Sequence, residues 1–168
     1  MTKSIRMKIK SVRYEMPELL FSQAISEAAE EILDVKINED ILNSAEDDAM
    51  EINTDAILST EDGRVEFSYD ESEITGMEGS KTSLSYAMNN PSLVSMIRTG
   101  TVSTSLVFEQ GKRHHCVYKT PYMPFEVCVH TLKVDNKLAT EKTLYIDYII
   151  EIRGAKAERT KLSMTYFE

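Results

Sequence analysis

Histidine and cysteine residues form two clusters in the second half of the chain, and their composition is that of a zinc site. The clusters are His114-His115-Cys116 and Cys128-Val129-His130, on predicted strands that are joined by a turn at 119–124. Two thiolates and two imidazoles are a common tetrahedral set for zinc. However, same-face neighbours on a strand are about 7 Å apart and converge poorly on one ion. In one strand register the cysteines face each other, whereas a shift of one residue places Val127 and Val129 opposite the first cluster instead. We expect no metal and no cofactor, and interpret the thiols as small buried apolar groups.

Nucleophilic catalysis requires Ser or Cys beside a base that an acid holds in place. The chain has no G-x-S-x-G turn. Cys116 follows His115, but successive strand residues point to opposite faces, so this pair cannot act together. We therefore predict no catalytic residue and a protein that is not an enzyme.

A carboxylate–guanidinium pair is the next candidate for chemistry. Asp70, Glu71 and Glu73 lie near Arg98 if their two segments are neighbouring strands. We expect a Glu71–Arg98 bridge inside a barrel or at its mouth. If the pair has a structural role, removal of either partner destabilises the fold, because the other charge is left buried and unpaired. As a binding site, the rigid donor fork of Arg98 would anchor a polar or anionic ligand. An enzyme that uses Glu71 with Arg98 or a tyrosine is the weakest alternative.

Large rings come from tyrosine and phenylalanine, because the chain has no tryptophan. Tyrosines combine an apolar ring with an oriented hydroxyl, which suits the wall of a ligand cavity. Ordinary strand packing, in which tyrosine is favoured anyway, is the alternative. The tyrosines on predicted strands that could form such a wall are Tyr69, Tyr86, Tyr118, Tyr145 and Tyr148.

Period-two alternation of apolar and polar residues dominates the chain and predicts antiparallel strands in a barrel or sandwich. In the first segment the apolar parity changes after Ile9 to Val12 and Tyr14, which predicts a bulge near 10–11. Gly100 predicts a sharp bend. The predicted strands are 3–14, 50–59, 64–71, 81–88, 92–98, 101–109, 112–119, 125–134, 143–152 and 157–167.

One segment follows a helical period instead. Apolar residues in Leu20–Asp34 recur every three or four positions, which predicts an amphipathic helix, and the polar stretch Asn38–Asp48 predicts a loop. Together they form an inserted segment at 17–48, between the first two strands. We expect the helix to cover an end or edge of the sheet, and a docking helix is the alternative.

Composition narrows the class of protein. The 168 residues suit one domain, 1–168, and the net charge is −9. Most acidic residues lie within 27–78, where they would repel nucleic acid. No apolar run is long enough to span a membrane. With two cysteines and no export signal, we expect a cytoplasmic protein that binds neither nucleic acid nor membrane.

The order of several short motifs resembles the DUF1934 family of uncharacterised bacterial proteins, which are similar to calycins, the lipocalin-shaped β-barrels. The resemblance covers the first strand and about Glu51 to Phe167, and leaves the inserted segment outside. It implies a fold but no activity, and this chain has Met123-Pro124 where the family commonly has a glycine. The motifs are Tyr69-Asp70-Glu71, Ile97-Arg98-Thr99-Gly100, Tyr118-Lys119-Thr120-Pro121-Tyr122, Phe125-Glu126-Val127, Thr131 and Ile146-Asp147-Tyr148.

The combined prediction is an all-β, antiparallel, calycin-like barrel of about eight to ten strands with an inserted amphipathic helix. We expect a small ligand to bind in or at the mouth of the barrel, which requires a lumen of about 300 Å³ or more. The alternative is a module that binds a protein partner through the acidic insertion or a sheet edge. The candidate ligand-binding residues are Arg98, Glu71, Tyr69, Tyr118 and Tyr148.

Overall fold

A computed structural model describes residues 1–15, 49–152 and 157–168. The predicted helix and loop of the 17–48 segment lie outside the described residues. No helix in the described part is long and apolar enough to cross a membrane.

The described residues form ten β-strands and a single-turn 3-10 helix at Glu73–Thr75. Each strand predicted from the alternation of residues is present. The strands are β1 Thr2–Glu15, β2 Ala49–Glu61, β3 Arg64–Asp70, β4 Lys81–Ala87, β5 Asn90–Thr99, β6 Thr104–Glu109, β7 Arg113–Lys119, β8 Pro124–Lys137, β9 Thr143–Ile152 and β10 Ala157–Phe167.

All ten strands belong to one antiparallel sheet that curls into a nearly closed barrel. The order is β6-β5-β4-β3-β2-β1-β10-β9-β8-β7, so sequence neighbours pair except β6 with β7, and β1 pairs with β10. Ser103 and Lys119 exchange two backbone hydrogen bonds of 2.7 and 2.9 Å across the ends of the sheet. We call the line where β6 and β7 meet, at the two ends of the sheet, the seam. At its other end, the turn that joins β6 to β7 is hydrogen-bonded to β8: the Gly111 N–H donates to the Thr131 carbonyl, and the Thr131 N–H donates to the Lys112 carbonyl.

Inward-facing side chains fill most of the barrel because each strand alternates apolar and polar residues. On β1, Ile5, Met7 and Ile9 are buried. The bulge predicted in this strand is wrong: the pairing with β2 and β10 runs through Ser11 without a register shift. Ser11 is buried and Arg13 has the same inward parity, so the polar end of β1 continues the inner face of the barrel.

Two loops at one end of the barrel lock against each other around Gly100. The Glu71 N–H donates to the Ser80 carbonyl at 2.8 Å, and the Val102 N–H donates to Ser80 Oγ at 2.9 Å. Gly100 has φ +117°, and a Cβ at this position would lie 2.3 Å from the Gly79 carbonyl oxygen. Because only glycine tolerates both the backbone conformation and the close approach, this residue fixes how the end of β3 meets the end of β5.

The turn between β7 and β8 forms without the glycine that the family commonly has there. Thr120 organises it: its Oγ1 donates to the Met123 carbonyl at 3.0 Å and accepts from the N–H groups of Tyr122 and Met123 at 3.3 Å. These hydrogen bonds hold the turn closed, and none of the residues 120–123 has a positive φ, so this turn does not require glycine.

Candidate ligand-binding site

A row of polar side chains crosses four strands on the inner face of the barrel. The strand registers place Tyr69 on β3 opposite Thr82 on β4, Thr82 opposite Arg98 on β5, and Arg98 opposite Thr104 on β6. Directly opposed residues have Cβ atoms about 4.5–5.5 Å apart. The row therefore brings a guanidinium, two threonine hydroxyls and a phenol into one layer of the barrel.

Glu71 joins this row from the end of β3 and forms the ion pair with Arg98 that the sequence predicts. Arg98 Nε lies 3.3 Å from Glu71 Oε1, and the exposed fractions of the two side chains are 11% and 1%. Thr82 Oγ1 donates to Glu71 Oε1 at 2.5 Å and accepts from Arg98 Nε at 3.0 Å. The three side chains form one closed triangle that holds the guanidinium in a fixed orientation.

Tyr69 borders the Glu71 side of this triangle. Burial raises the pKa of the Tyr69 hydroxyl, the negative charge of Glu71 raises it further, and Arg98 acts in the opposite direction. The phenol thus stays protonated as a neutral donor beside the carboxylate.

A cavity of about 270 Å³ lies against the other side of Arg98. Its apolar lining comes from Met96, Leu106, Val127 and Ile150, and its polar lining includes Tyr118, Tyr148 and Thr160. The volume falls just below the lower end of the roughly 300–1,000 Å³ range of ligand pockets. The site therefore fits only a small molecule.

A second polar row forms the wall that faces Arg98. Thr131 on β8 lies opposite Tyr148 on β9, Tyr148 opposite Thr160 on β10, and Thr160 opposite Arg13 on β1. Burial raises the pKa of the Tyr148 hydroxyl, and its hydrogen bond with Thr160 lowers that pKa in part. The Tyr148 ring packs on Phe108 with a centroid distance of 4.7 Å. Tyr148 is therefore a fixed, neutral side of the cavity.

At the rim, Arg13 pairs with Glu158 at 3.7 Å, and both side chains are about half exposed. Both also line the cavity. The sequence analysis missed them because the predicted bulge turned Arg13 to the outer face. It also missed Thr82 and Thr160, which the inward parity of their strands would have identified.

The five predicted residues gather in this region in two groups. Arg98, Tyr118 and Tyr148 line the cavity. Glu71 and Tyr69 are buried behind Arg98 and are absent from the lining. They support the guanidinium rather than face the cavity.

The other two tyrosines lie elsewhere. Tyr86 is buried in the hydrophobic core. Tyr145 has the opposite parity to Tyr148, and its ring contacts Lys133 Nζ at 6.0 Å from the ring centroid.

The histidine and cysteine clusters adopt the shifted register. Cys116 lies opposite Val127, His114 opposite Val129, and His115 opposite Cys128. Burial raises the pKa of both thiols. In the residues that the structure describes, no group of three or more His, Cys, Asp or Glu side chains is arranged to hold a metal ion.

A second, larger cavity of about 560 Å³ lies along β7 and β8, and His115, Cys128 and Glu151 contribute to its lining. Both carboxylate oxygens of Glu151 already accept from Arg113 Nη1, at 3.0 and 3.1 Å. We take the cavity at Arg98 as the candidate site because it lies on the inner face of the barrel beside the buried Glu71–Thr82–Arg98 triangle.

The structure also contains a buried ion pair that the sequence analysis missed. Arg159 donates from Nε to Asp147 Oδ1 at 2.8 Å and from Nη2 to Oδ2 at 2.6 Å. Strand alternation places Asp147 on the opposite face from Tyr148, away from the cavity. The pair thus stabilises the wall without lining the site.

Comparison with known proteins identifies the family. A family model described as a domain of unknown function, DUF1934, matches residues 35–164. The chain belongs to the DUF1934 family. The match includes residues 35–48, so the prediction that the whole 17–48 segment lies outside the family region is wrong for these residues, and it leaves out β1, which was predicted to lie inside the region.

DUF1934 carries no assigned activity in its description. The fold is similar to the crystal structure of the ywiB protein from Bacillus subtilis, with a TM-score of 0.63, 15% sequence identity, and coverage of 99% of this chain and 94% of that one. At this identity the similarity concerns the fold alone. No curated protein matches the chain.

Two of the motifs that carry the resemblance acquire a physical explanation from the geometry. In Ile97-Arg98-Thr99-Gly100, the arginine forms the buried triangle and the glycine allows the loop contact beside it. In Ile146-Asp147-Tyr148, the aspartate binds Arg159 on one face while the tyrosine lines the cavity on the other.

Proposed function

We propose that this protein binds a small organic ligand in the cavity beside Arg98 and does not act as an enzyme. The observation that carries the proposal is the lining of this cavity: an apolar wall, two tyrosines and a guanidinium converge on one space of about 270 Å³. Binding pockets combine apolar walls with a few fixed polar groups in this way.

Binding rather than catalysis is supported by the position of the carboxylates. Glu71 has its Oε1 occupied by Thr82 and Arg98 and does not line the cavity. Glu158 lies at the rim, where Arg13 pairs with it. Glu71 is therefore out of hydrogen-bond reach of a molecule in the cavity, which a general base requires, and the Glu158 carboxylate is already paired with Arg13.

The test is native mass spectrometry of the protein purified from its own cells, before and after denaturation. We expect an additional small mass that denaturation removes. A Leu106→Phe variant should lose this mass, because the larger side chain enters the cavity. The matched control is Val107→Phe, on the same strand with the opposite parity, which should retain it. Equal retention in both variants, with both folded, would mean that the ligand binds elsewhere.

Docking of a protein strand is a second candidate, which the seam between β6 and β7 favours. In the described part of the chain, the two strands exchange backbone hydrogen bonds only where Ser103 meets Lys119 and at their connecting turn. A His114–Glu109 side-chain contact of 3.2 Å also spans the seam. Unpaired strand edges accept an added strand from another chain.

This second candidate predicts a co-purifying polypeptide in the same native spectrum. A Ser105→Pro variant should abolish it, since proline removes an edge N–H. If the polypeptide still co-purifies with the Ser105→Pro variant, docking at β6 is excluded. The acidic insertion, the other docking surface expected from the sequence, lies outside the described residues.

A further inference from the structure

The guanidinium of Arg98 divides its donors between the protein and the cavity. Its Nε is occupied by Thr82 and Glu71. Among the described residues, neither Nη atom has an oxygen partner, and Nη2 contacts only Met96 Sδ at 4.0 Å. Arg98 lines the cavity. The two Nη atoms therefore form the donor edge that is left for a ligand.

The charges around the cavity limit the charge of that ligand. Arg98 is offset by Glu71, and Arg13 by Glu158. No other charged residue contributes to this cavity lining in the described part of the chain. With both arginines paired, the site has no surplus positive charge. A singly charged carboxylate adds one negative charge and gains charge-assisted hydrogen bonds from the donor fork of Arg98, whereas a phosphate dianion adds two negative charges to the same fork.

The rest of the cavity is suited to a compact apolar body. Met96, Leu106, Val127 and Ile150 form its apolar lining, while Tyr118 and Tyr148 add hydroxyl groups. The volume of about 270 Å³ equals roughly nine water molecules at about 30 Å³ each. A ligand that lies entirely within this space is smaller than a long acyl chain or a nucleotide.

From these three observations we propose that the ligand is a small monocarboxylate with a compact apolar body, whose carboxylate binds the Nη edge of Arg98. This inference rests on the proposed function and specifies its ligand class. The carboxylate accepts two parallel N–H groups, a geometry that a rigid guanidinium provides and an ammonium does not.

The test compares matched probes by isothermal titration calorimetry: benzoate, benzamide and phenyl phosphate, with hexanoate as an aliphatic carboxylate. We expect at least one carboxylate to bind, at least tenfold tighter than benzamide and phenyl phosphate. Arg98→Lys should weaken carboxylate binding at least tenfold, because it keeps the charge but removes the fork. Arg6→Gln, whose largely exposed side chain pairs with Asp55 away from the cavity, should change it less than threefold.

Circular dichroism of each variant controls for folding. If Arg98→Lys does not fold, the double variant Glu71→Gln/Arg98→Gln, which buries neither charge, replaces it in the same titrations.

Each failure has a distinct meaning. Two outcomes would overturn the carboxylate inference but leave the small-ligand proposal intact. One is equal binding of benzamide and benzoate, and the other is tighter binding of phenyl phosphate than of either carboxylate. Absence of binding by every probe would also overturn the inference. The proposed function falls only if, in addition, the native mass spectrum contains no bound small molecule.

Discussion

Replacing Arg98 with methionine removes the charge that neutralises a buried carboxylate, and we expect a large loss of stability. The Glu71 side chain is 1% exposed and its Oε1 has two partners, Thr82 and Arg98. Removing one partner of a buried ion pair costs about 3–5 kcal/mol. For a chain of this size, about 2–4 °C of Tm per kcal/mol converts this loss to roughly 6–20 °C.

The companion variant tests whether the charge is responsible. Glu71→Gln leaves Arg98 beside the cavity, where water reaches it, so we expect a smaller loss of about 1–3 kcal/mol. The double variant Glu71→Gln/Arg98→Met buries neither charge. We expect it to be more stable than the sum of the single effects predicts, with a coupling of about 1–3 kcal/mol.

The assay is urea unfolding followed by circular dichroism, with the free energies compared at a constant m-value. Arg6→Met is the matched control, since Arg6 forms an ion pair of 3.6 Å with Asp55 in which both side chains are largely exposed. Such surface pairs contribute about 0–1 kcal/mol. If Arg98→Met costs no more than Arg6→Met, or if the double variant is simply additive, the reasoning about the buried triangle is wrong.

Three further predictions concern the loops, the tyrosines and the second ion pair. Gly100→Ala should lower the free energy of unfolding by more than about 1 kcal/mol, because the added Cβ meets a carbonyl oxygen at 2.3 Å and φ is +117°; unchanged urea unfolding would exclude this contact. The raised pKa values of Tyr69 and Tyr148 mean that the folded protein retains protons that the unfolded chain loses near pH 10. Below about pH 10 these two groups should leave the free energy of unfolding constant, and above it the free energy should fall as pH rises. Tyr148→Phe should make the free energy of unfolding, measured with urea at pH 9–11, fall less steeply with pH; an identical slope would contradict the assignment. Asp147→Asn should destabilise by about 1.5–3 kcal/mol, because Arg159, which is 2% exposed, loses its charge-assisted hydrogen bonds to Asp147; a Tm within 2 °C of the parent protein would refute this.

The strands were predictable because burial imposes a period of two on each of them. The ten segments in the described residues coincide with the predicted runs to within a few residues. The Glu71–Arg98 pair was also predictable, because buried charges are almost always paired. Its placement on neighbouring strands was wrong, since β4, which contributes Thr82, lies between β3 and β5.

Side-chain direction was harder to predict where both faces of a strand carry apolar residues. On β1, Val12 and Tyr14 indicated a change of parity. The strand instead keeps its register, and Tyr14 lies on the outer face with Lys161 Nζ at 5.9 Å from its ring centroid. Aromatic residues such as Tyr14 can also lie on the outer face of a sheet, covered by long basic side chains. The apolar character of Tyr14 therefore did not reveal that its neighbour Arg13 faces the cavity.

Pairing register was the second limit. The sequence allowed two registers for β7 and β8, and the buried valines decide between them: Val127 and Val129 take the inner face, which separates the cysteines. The position of Tyr69 behind Arg98, rather than in the cavity, depends on distances across three strands, which no local pattern contains.

An electron-density map of the wild-type protein purified from its own cells is the most direct test of binding in the cavity. The account predicts density that no protein atom explains, bounded by Leu106 and Tyr148 and within hydrogen-bond distance of an Arg98 Nη atom. A cavity filled by the side chains of Met96 and Tyr118, with the Nη atoms bonded to protein oxygens, would contradict it.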